Sequence, residues 1–199
     1  MPKPTKIAVA VLAAGQASRM GGANKMLLPF GEGLTILGQV LFNVDQLDLG
    51  LKLVVTGRDR ALVEQVVPAD FKVCHNATYE TGMASSLRTA LDAIDETFAG
   101  VLVVLGDMPM IKPETMSEML HVFQALEEPK TVVPTHEGQW GNPVLLSRAF
   151  FDPVRNLSAD KGARTLLKQN IDKLHLLPVE DAGVLVDVDT PEAYAALNP

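Results

Sequence analysis

The chain has 199 residues, of which 47% are hydrophobic and 21% are charged, and its formal charge is −7. This composition is ordinary for a globular protein and excludes a disordered acidic tail, and the length predicts one domain over residues 1–199. The charge is uneven: residues 1–31 contain four basic residues and no acid, so the remainder carries −11. An acidic protein with one basic end lacks the broad positive face of a nucleic-acid binder, but such an end can hold a small polyphosphate.

The cysteine content and the apolar runs limit the setting in which the protein works. Cys74 is the single cysteine, which excludes an intramolecular disulfide framework and a Cys-rich zinc site and favours the reducing cytoplasm. No apolar run approaches the roughly 20 residues that span a bilayer. Lys3 and Lys6 before the apolar stretch Ile7–Ala14 also fit a short signal peptide, which would make the chain a secreted binding protein. We favour a buried first strand for this stretch.

Short apolar runs alternate with longer amphipathic stretches along the first two thirds of the chain. The apolar runs predict buried strands at Ile7–Ala13, Leu51–Thr56, Lys72–His75, Val101–Leu105 and Thr131–Pro134. Helical spacing of apolar residues predicts helices at Thr35–Gln46, Arg60–Val66, Met83–Ile94 and Pro113–Leu126. This order predicts an α/β fold, a three-layer α/β/α sandwich with a mostly parallel sheet.

The last third of the chain is less regular. Pro143–Leu146 follows Gly141 and Asn142 and predicts an antiparallel strand at an edge of the sheet. Residues 155–170 are richer in charge and predict a mobile flap. Two short strands and a closing helix are predicted beyond it, at Leu174–Pro178, Gly183–Val188 and Pro191–Leu197.

The segment from Leu12 to Lys25 follows the first strand, where ligands bind in open α/β sheets. Its small residues Ala13, Ala14 and Gly15 let the backbone approach a ligand, and their N–H groups can surround an anion. Arg19 and Lys25 add two positive charges that suit phosphate oxygens. The segment matches neither the Walker loop nor the G-x-G-x-x-G motif. A glycine-rich connector with solvated charges is the simpler alternative.

Two aspartates are candidates for holding a cation. Asp107 follows the strand Val101–Leu105, and Asp189 ends the predicted strand Gly183–Val188. Magnesium takes one or two carboxylates together with substrate phosphates, so the pair suits Mg²⁺. Alternation along that strand puts Asp187 and Asp189 on one face, so spacing does not choose between them. As alternatives, Asp107 and Asp189 are turn or helix-capping residues.

Two further segments carry polar groups that suit a ligand. Thr81–Arg88 opens a predicted helix, so Gly82, Ser85 and Ser86, with Asn76 just upstream, are candidates for nucleotide contacts unless a serine simply caps the helix. Asn142, Lys161 and Arg164 are candidates for binding a phosphate-bearing acceptor. A tight turn at Asn142 and a solvated helix start at residues 160–164 are the alternatives.

The sequence from Leu12 to Lys25, Leu-Ala-Ala-Gly-x-x-Ser-Arg-Met-Gly-x-x-Asn-Lys, resembles the signature loop of nucleotidyltransferases with the nucleotide-diphospho-sugar transferase fold, which is GT-A-like and Rossmann-like. It particularly resembles the MobA-like NTP transferase family, which includes the molybdenum cofactor nucleotidyltransferases. Gly-Asp-Met-Pro at 106–109 and Asp-Val-Asp-Thr-Pro-Glu at 187–192 are similar to other motifs of this family. Gly-Met-x-x-Ser-Leu at 82–87 is similar to its cytidylyltransferase members.

The resemblance implies roles for the candidate residues. Arg19 and Lys25 would contact the triphosphate and act in catalysis, and Asp107, with Asp189 in preference to Asp187, would hold Mg²⁺. The nucleotide would also contact the remaining positions, namely Leu12, Ala13, Ala14, Gly15, Asn76, Gly82, Ser85 and Ser86. Asn142, Lys161 and Arg164 would lie near the acceptor.

The activity implied by the resemblance is transfer of CMP from CTP to the phosphate of the molybdopterin form of the molybdenum cofactor, with release of diphosphate. A molybdoenzyme or its maturation chaperone is the implied protein partner. Two enzyme alternatives remain open, a GTP-using guanylyltransferase for the same cofactor and a sugar-1-phosphate nucleotidyltransferase. A nucleotide-binding sensor or a cofactor-delivery chaperone is the alternative that is not an enzyme.

Overall fold

The computed structural model describes residues 6–15, 24–31, 33–157 and 163–197. The strands within these residues are β1 Lys6–Ala13, β2 Pro29–Phe30, β3 Leu34–Thr35, β4 Lys52–Thr56, β5 Lys72–His75, β6 Phe98–Leu105, β7 Thr131–His136, β8 Gln139–Trp140, β9 Val144–Ser147 and β10 Leu174–Pro178. The main sheet has the strand order β10-β7-β9-β6-β1-β4-β5, with β8 paired to β7, and β2 and β3 form a separate hairpin.

Strand β1 lies inside the sheet, parallel to β4 on one side and to β6 on the other. Ala8, Val9, Ala10 and Val11 are fully buried, as expected for a parallel strand that is covered on both faces. The stretch that also fitted a signal peptide therefore forms the strand between β4 and β6. Strand β10 is parallel to β7, whereas β8 and β9 run antiparallel to their neighbours.

Helices cover both faces of the sheet. They are α1 Ile36–Asp45, α2 Arg60–Val63, α3 Met83–Asp92, α4 Pro113–Ala125, α5 Phe151–Arg155, α6 Ala163–Lys168 and α7 Pro191–Leu197. Residues of α1, α2 and α4 belong to one hydrophobic core cluster, and residues of α3, α5 and α6 belong to the other. Alternate residues of β1, such as Val9 and Ala10, enter the two clusters in turn. This confirms the predicted three-layer α/β/α arrangement with a mostly parallel sheet. None of the described helices has the length and apolar character needed to cross a membrane.

The prediction of an antiparallel strand near Pro143–Leu146 is correct in direction but wrong in position. Strand β9 is antiparallel to both β6 and β7 and lies between them. Leu145 and Leu146 are buried, at 0% and 2% exposure, so the strand is covered on both faces. Pro143 lies just before β9, where its missing N–H costs no ladder hydrogen bond.

Two other predictions require correction. The predicted strand Gly183–Val188 is not a strand, because Ala182–Leu185 forms a 3₁₀ turn in which the amide of Gly183 donates to the side chain of the N-cap residue Asp181. The helix predicted at Arg60–Val66 is α2 followed by a 3₁₀ turn at Glu64–Val66. Part of the predicted flap, residues 158–162, lies outside the described residues, and helix α6 follows it.

Candidate functional site

The carboxyl ends of the parallel strands bring several predicted site segments to one edge of the sheet. Strand β1 ends at Ala13, between the ends of β4 and β6. The amide of Gly106, just after β6, donates to the carbonyl of Leu12 at 3.0 Å, and a Cβ on Gly106 would lie 3.0 Å from that oxygen. A glycine at this position therefore lets the Asp107 loop lie directly against the end of β1.

The predicted nucleotide loop is described only at its two ends. The side chains of Leu12, Ala13 and Ala14 are buried in the core clusters, whereas Gly15 is exposed. Residues 12–14 can therefore contact a ligand through their backbone groups and not through their side chains. Arg19 lies outside the described residues.

Lys25 brings together two carboxylates from distant parts of the chain. Its Nζ atom lies 2.6 Å from Asp107 Oδ2 and 2.5 Å from Asp189 Oδ1, and the residue is only 8% exposed. Burial lowers the pKa of Lys25, but the charges and hydrogen bonds of Asp107 and Asp189 outweigh burial and raise this pKa above its ordinary value. The ammonium group is therefore charged at neutral pH.

Asp187 and Asp189 have different surroundings. Asp189 accepts a hydrogen bond from Lys25, whereas Asp187 is an exposed residue. Desolvation raises the pKa of Asp187, and the negative charges of Asp189 and Asp107 raise it further. The lysine is thus paired with the aspartate that the resemblance favoured.

Other residues fill the helix-capping positions that were the alternatives for the two aspartates. Lys112 is the N-cap residue of α4, five positions after Asp107. At the start of α7, Thr190 Oγ1 accepts a hydrogen bond from the amide of Ala193 at 3.2 Å. Asp107 and Asp189 both contact Lys25 instead.

The backbone of Lys25 is anchored by its two neighbours. Asn24 Oδ1 accepts a hydrogen bond from the amide of Met26 at 3.1 Å, and Asn24 Nδ2 donates to Asp59 Oδ2 at 3.2 Å. Met26 is 4% exposed and belongs to a core cluster. The side chain of Lys25 therefore extends into the site from a fixed short turn, Lys25–Leu27.

Asn43 of α1 supports the loop that carries Asp107. Its Nδ2 group donates to the carbonyls of Pro109 at 3.1 Å and Ile111 at 3.0 Å, and its Oδ1 atom accepts from Gln39 Nε2 at 2.8 Å. Asn43 is 8% exposed, so without it these two carbonyls would lose a hydrogen-bond donor at a buried position. The loop is consequently fixed from the α1 side.

Asp181 fixes the same loop from the other side. Its Oδ2 atom accepts from the amide of Lys112 at 2.9 Å and from Thr115 Oγ1 at 2.8 Å, while Oδ1 accepts from the amide of Gly183 at 2.9 Å. A Cβ on Gly183 would lie 2.3 Å from the carbonyl oxygen of Met110, which is too close for any side chain. Asp181 and Gly183 therefore join the segment before Asp189 to the loop after Asp107.

Val188 makes a second junction between these segments, next to Asp189. Its amide donates to the carbonyl of Asp107 at 2.9 Å. The side chain is fully buried in a small cluster with Phe30 and Ile36. Asp189 is thus positioned by backbone and core contacts as well as by Lys25.

Asn76, Ser85 and Ser86 form a hydrogen-bonded group at the start of α3. Asn76 Nδ2 donates to Ser85 Oγ at 2.8 Å and to Ser86 Oγ at 3.0 Å, and its Oδ1 accepts from the amide and the hydroxyl of Thr78. These bonds use the full capacity of the Asn76 side chain, so it positions the two serines. Gly82 has a φ of 103°, which favours glycine, and it occupies the N-cap position of α3.

Two of the predicted acceptor residues lie next to strand β8: Asn142 follows it in the chain, and Arg164 of α6 contacts it. The amide of Asn142 donates to the carbonyl of Val184 at 2.9 Å, and Arg164 Nη2 donates to the carbonyl of Trp140 at 2.8 Å. Val184 belongs to the segment that leads to Asp189, so the turn that contains Asn142 contacts this segment. Lys161 lies outside the described residues.

Three residues near the site were not predicted from the sequence. Asn43 and Asp181 act through partners 66 to 69 positions away, a distance at which no local pattern signals them. Thr56, the last residue of β4, is fully buried, and its Oγ1 has no hydrogen-bond partner among the described residues. The sequence signal for Thr56 is its place at the end of an apolar strand, at the edge of the sheet where ligands bind.

Comparison with known proteins identifies the family. The profile of the MobA-like NTP transferase domain matches residues 9–174. The chain belongs to this family. The predicted family is thereby confirmed. As a member of this family, this MobA-like NTP transferase is a nucleotidyltransferase.

Two characterised proteins are similar to this MobA-like NTP transferase over most of their length. One is the molybdenum cofactor cytidylyltransferase of Escherichia coli (strain K12), 26% identical over 186 residues that cover 92% of this chain and 91% of the relative. The other is the purine catabolism protein PucB of Bacillus subtilis (strain 168), 31% identical over 196 residues, with coverage of 92% and 91%.

A solved structure with the same fold is that of Rv0371c from Mycobacterium tuberculosis H37Rv. It is 30% identical with a TM-score of 0.85, and the match covers 98% of each chain. A complex of Rv0371c with manganese has a TM-score of 0.79 at 29% identity, covering 96% of this chain and 97% of that chain. A relative of this MobA-like NTP transferase therefore binds manganese.

Proposed function

We propose that this MobA-like NTP transferase uses Mg²⁺ to transfer CMP from CTP to the phosphate of the molybdopterin form of the molybdenum cofactor, releasing diphosphate. The observation that carries the proposal is the position of Lys25, whose ammonium group lies between Asp107 and Asp189 at the ligand edge of the sheet. The similarity to the E. coli cytidylyltransferase supports the choice of CTP and of the acceptor.

The residues present fit a divalent cation. The Lys25 ammonium group stands as a cation between two carboxylates, and carboxylate oxygens are the ligands that Mg²⁺ and Mn²⁺ prefer. Among the described residues, no group of three or more His, Cys, Asp or Glu side chains forms a metal site by itself. This agrees with a cation that takes its remaining ligands from water and substrate phosphates. Bound at Asp107 and Asp189, Mg²⁺ would neutralise charge on the departing diphosphate.

The reaction requires positioning and positive charge more than proton transfer. An oxygen of the acceptor phosphate forms a bond to the α-phosphorus, while the bond from that phosphorus to the α–β bridging oxygen breaks and diphosphate leaves with the electron pair. Because the acceptor phosphate is already anionic, no general base has to remove a proton. Arg19 and Lys25 are the proposed contacts to the triphosphate.

The other predicted residues complete the proposed substrate contacts. The backbone of residues 12–15 and the group formed by Gly82, Ser85 and Ser86 would hold the nucleotide, with Asn76 fixing the serines. Asn142, Arg164 and Lys161 would face the acceptor. A molybdoenzyme or its maturation chaperone stays the predicted protein partner, and the cytoplasm stays the predicted location.

The test is diphosphate release by the purified protein with Mg²⁺ and each of the four nucleoside triphosphates, with and without the molybdenum cofactor. We expect release that requires both CTP and the cofactor. Asp107→Asn should abolish turnover, whereas Asp45→Asn should not, because Asp45 pairs with Lys52 at the start of β4, the end opposite the site.

Each other result has a defined meaning for the proposal. Release from CTP without the pterin would refute the acceptor, and stronger release from GTP would refute the base. Nucleotide binding without any diphosphate release would favour a sensor or a delivery chaperone. The same assay with sugar 1-phosphates as acceptors would reveal the sugar-nucleotide alternative.

A further inference from the structure

Lys25 occupies the position between the two carboxylates that a metal ion would otherwise take. Both contacts are short, at 2.6 Å and 2.5 Å, and the lysine is 8% exposed. Two carboxylates and one ammonium group leave a net negative charge, so the cluster still attracts cations. It offers them little space while the ammonium group remains.

The backbone of Lys25 is held by contacts that do not involve its side chain. Asn24 fixes the turn through Met26 and Asp59, and Met26 is part of the core. A lysine side chain is a point charge on a flexible four-carbon stem, so its ammonium group can move between nearby anions. Removing it from the carboxylates is costly unless another anion receives it and another cation replaces it.

We propose that Lys25 is an exchangeable counterion, which holds Asp107 and Asp189 in the free protein and passes to the nucleotide phosphates when a divalent cation binds the carboxylates. The proposal rests on the proposed function, because it takes the phosphates and the cation from it. A cation alone must displace the ammonium group without offering it a partner. A nucleotide and a cation together satisfy all charges, so each should strengthen the binding of the other.

Mn²⁺ binding in the absence of nucleotide tests the exchange directly. The titration, followed by electron paramagnetic resonance of free Mn²⁺, compares the wild type with Lys25→Met. We expect Lys25→Met to bind Mn²⁺ about tenfold more tightly or better, because the competing ammonium group is gone. Equal or weaker Mn²⁺ binding by a folded Lys25→Met protein would overturn the proposal.

Lys52→Met is the matched control variant. Lys52 also pairs with two aspartates, Asp45 and Asp70, but it lies outside the site. Its loss should leave Mn²⁺ affinity unchanged, and a gain equal to that of Lys25→Met would show a general charge effect and overturn the proposal. If Lys25→Met does not fold, the wild type decides: CTP affinity must rise several-fold with Mn²⁺ present, and no rise refutes the exchange.

The two proposals fail in different ways. Tighter Mn²⁺ binding by Lys25→Met without turnover by the wild type on any substrate supports the exchange and removes the proposed reaction. Turnover by the wild type, together with unchanged Mn²⁺ affinity in Lys25→Met, supports the proposed reaction and refutes the proposed exchange.

Discussion

Thr56 carries a buried hydroxyl group that has no hydrogen-bond partner among the described residues. Leaving such a group unpaired costs about 1–3 kcal/mol, so Thr56→Val, which replaces the hydroxyl by a methyl, should raise the free energy of unfolding by about 1 kcal/mol. Urea denaturation of the protein without ligands measures this change.

Thr115→Val is the matched control for Thr56→Val. The Thr115 hydroxyl donates to Asp181 at 2.8 Å, so its removal should lower the free energy of unfolding. A loss of stability in Thr56→Val as large as that in Thr115→Val would show that the Thr56 hydroxyl is paired in solution.

At the residue scale, the sequence predicted the charged residues of the site better than the residues that hold site groups in position. Lys25, Asp107 and Asp189 follow from their places after strands and from the family motifs, and the structure brings the three together. The contacts of Asn76 are internal: Thr78 bonds to it locally, two positions along the chain, whereas Ser85 and Ser86 meet it only after folding. A side chain's free hydrogen-bond capacity depends on such partners and cannot be taken from spacing.

At the element scale, the sheet was predictable but the segment before Asp189 was not. Val and Leu residues in Gly183–Val188 suggest a strand, yet the Asp181 carboxylate caps a 3₁₀ turn there. Gly183 must also pass within contact of the Met110 carbonyl, which a regular strand pairing would not allow. The error has a physical source: a local hydrogen bond from the amide of Gly183 to the Asp181 carboxylate, two positions earlier, outweighs β-propensity.

This segment predicts an effect of Asp181 on the carboxylate site. Asp181→Asn keeps the size of the side chain but replaces one of the two accepting oxygens with a donor. We expect the free energy of unfolding to fall by about 1–3 kcal/mol, because buried donors lose their partner. Mn²⁺ affinity should also fall in the folded variant, since the Asp189 segment loses its connection to the Asp107 loop.

Asp95→Asn provides the comparison for Asp181→Asn. Asp95 also accepts hydrogen bonds from a backbone amide and a hydroxyl, both of Thr97, but in an exposed turn away from the site. Asp95→Asn should lower the free energy of unfolding by less than Asp181→Asn does, and it should leave Mn²⁺ affinity unchanged. Unchanged Mn²⁺ affinity in a folded Asp181→Asn protein would contradict the positioning role.

At the scale of the whole molecule, the site is built from distant parts of the chain. Lys25 is 82 residues from Asp107 and 164 residues from Asp189. Phe30 and Val188 share one small apolar cluster, which joins the N-terminal hairpin to the segment of Asp189. The formal charge of −7 includes both aspartates, so it is compatible with a polyphosphate substrate that arrives with a divalent cation.

This long-range assembly predicts that the site and the sheet unfold together. Trp140 is the single tryptophan and lies in the β7–β8 hairpin, next to which Gly141 bonds to Pro134 and Asn142 bonds to Val184. We expect its fluorescence and the far-ultraviolet circular dichroism to change in one urea transition with equal midpoints, as in two-state unfolding. Such a result would also support the prediction of one domain over residues 1–199.

Asp181→Asn should lower both midpoints by the same amount. Asp181 bonds to the start of helix α4, and it precedes Val184, whose carbonyl accepts from the amide of Asn142. An earlier transition for Trp140 than for the circular dichroism would mean that the hairpin unfolds as a local unit. In that case the β7–β8 hairpin would be a local unit of lower stability than the sheet. Equal midpoints in both proteins would show instead that the β7–β8 hairpin and the segment of Asp189 form one cooperative unit with the sheet.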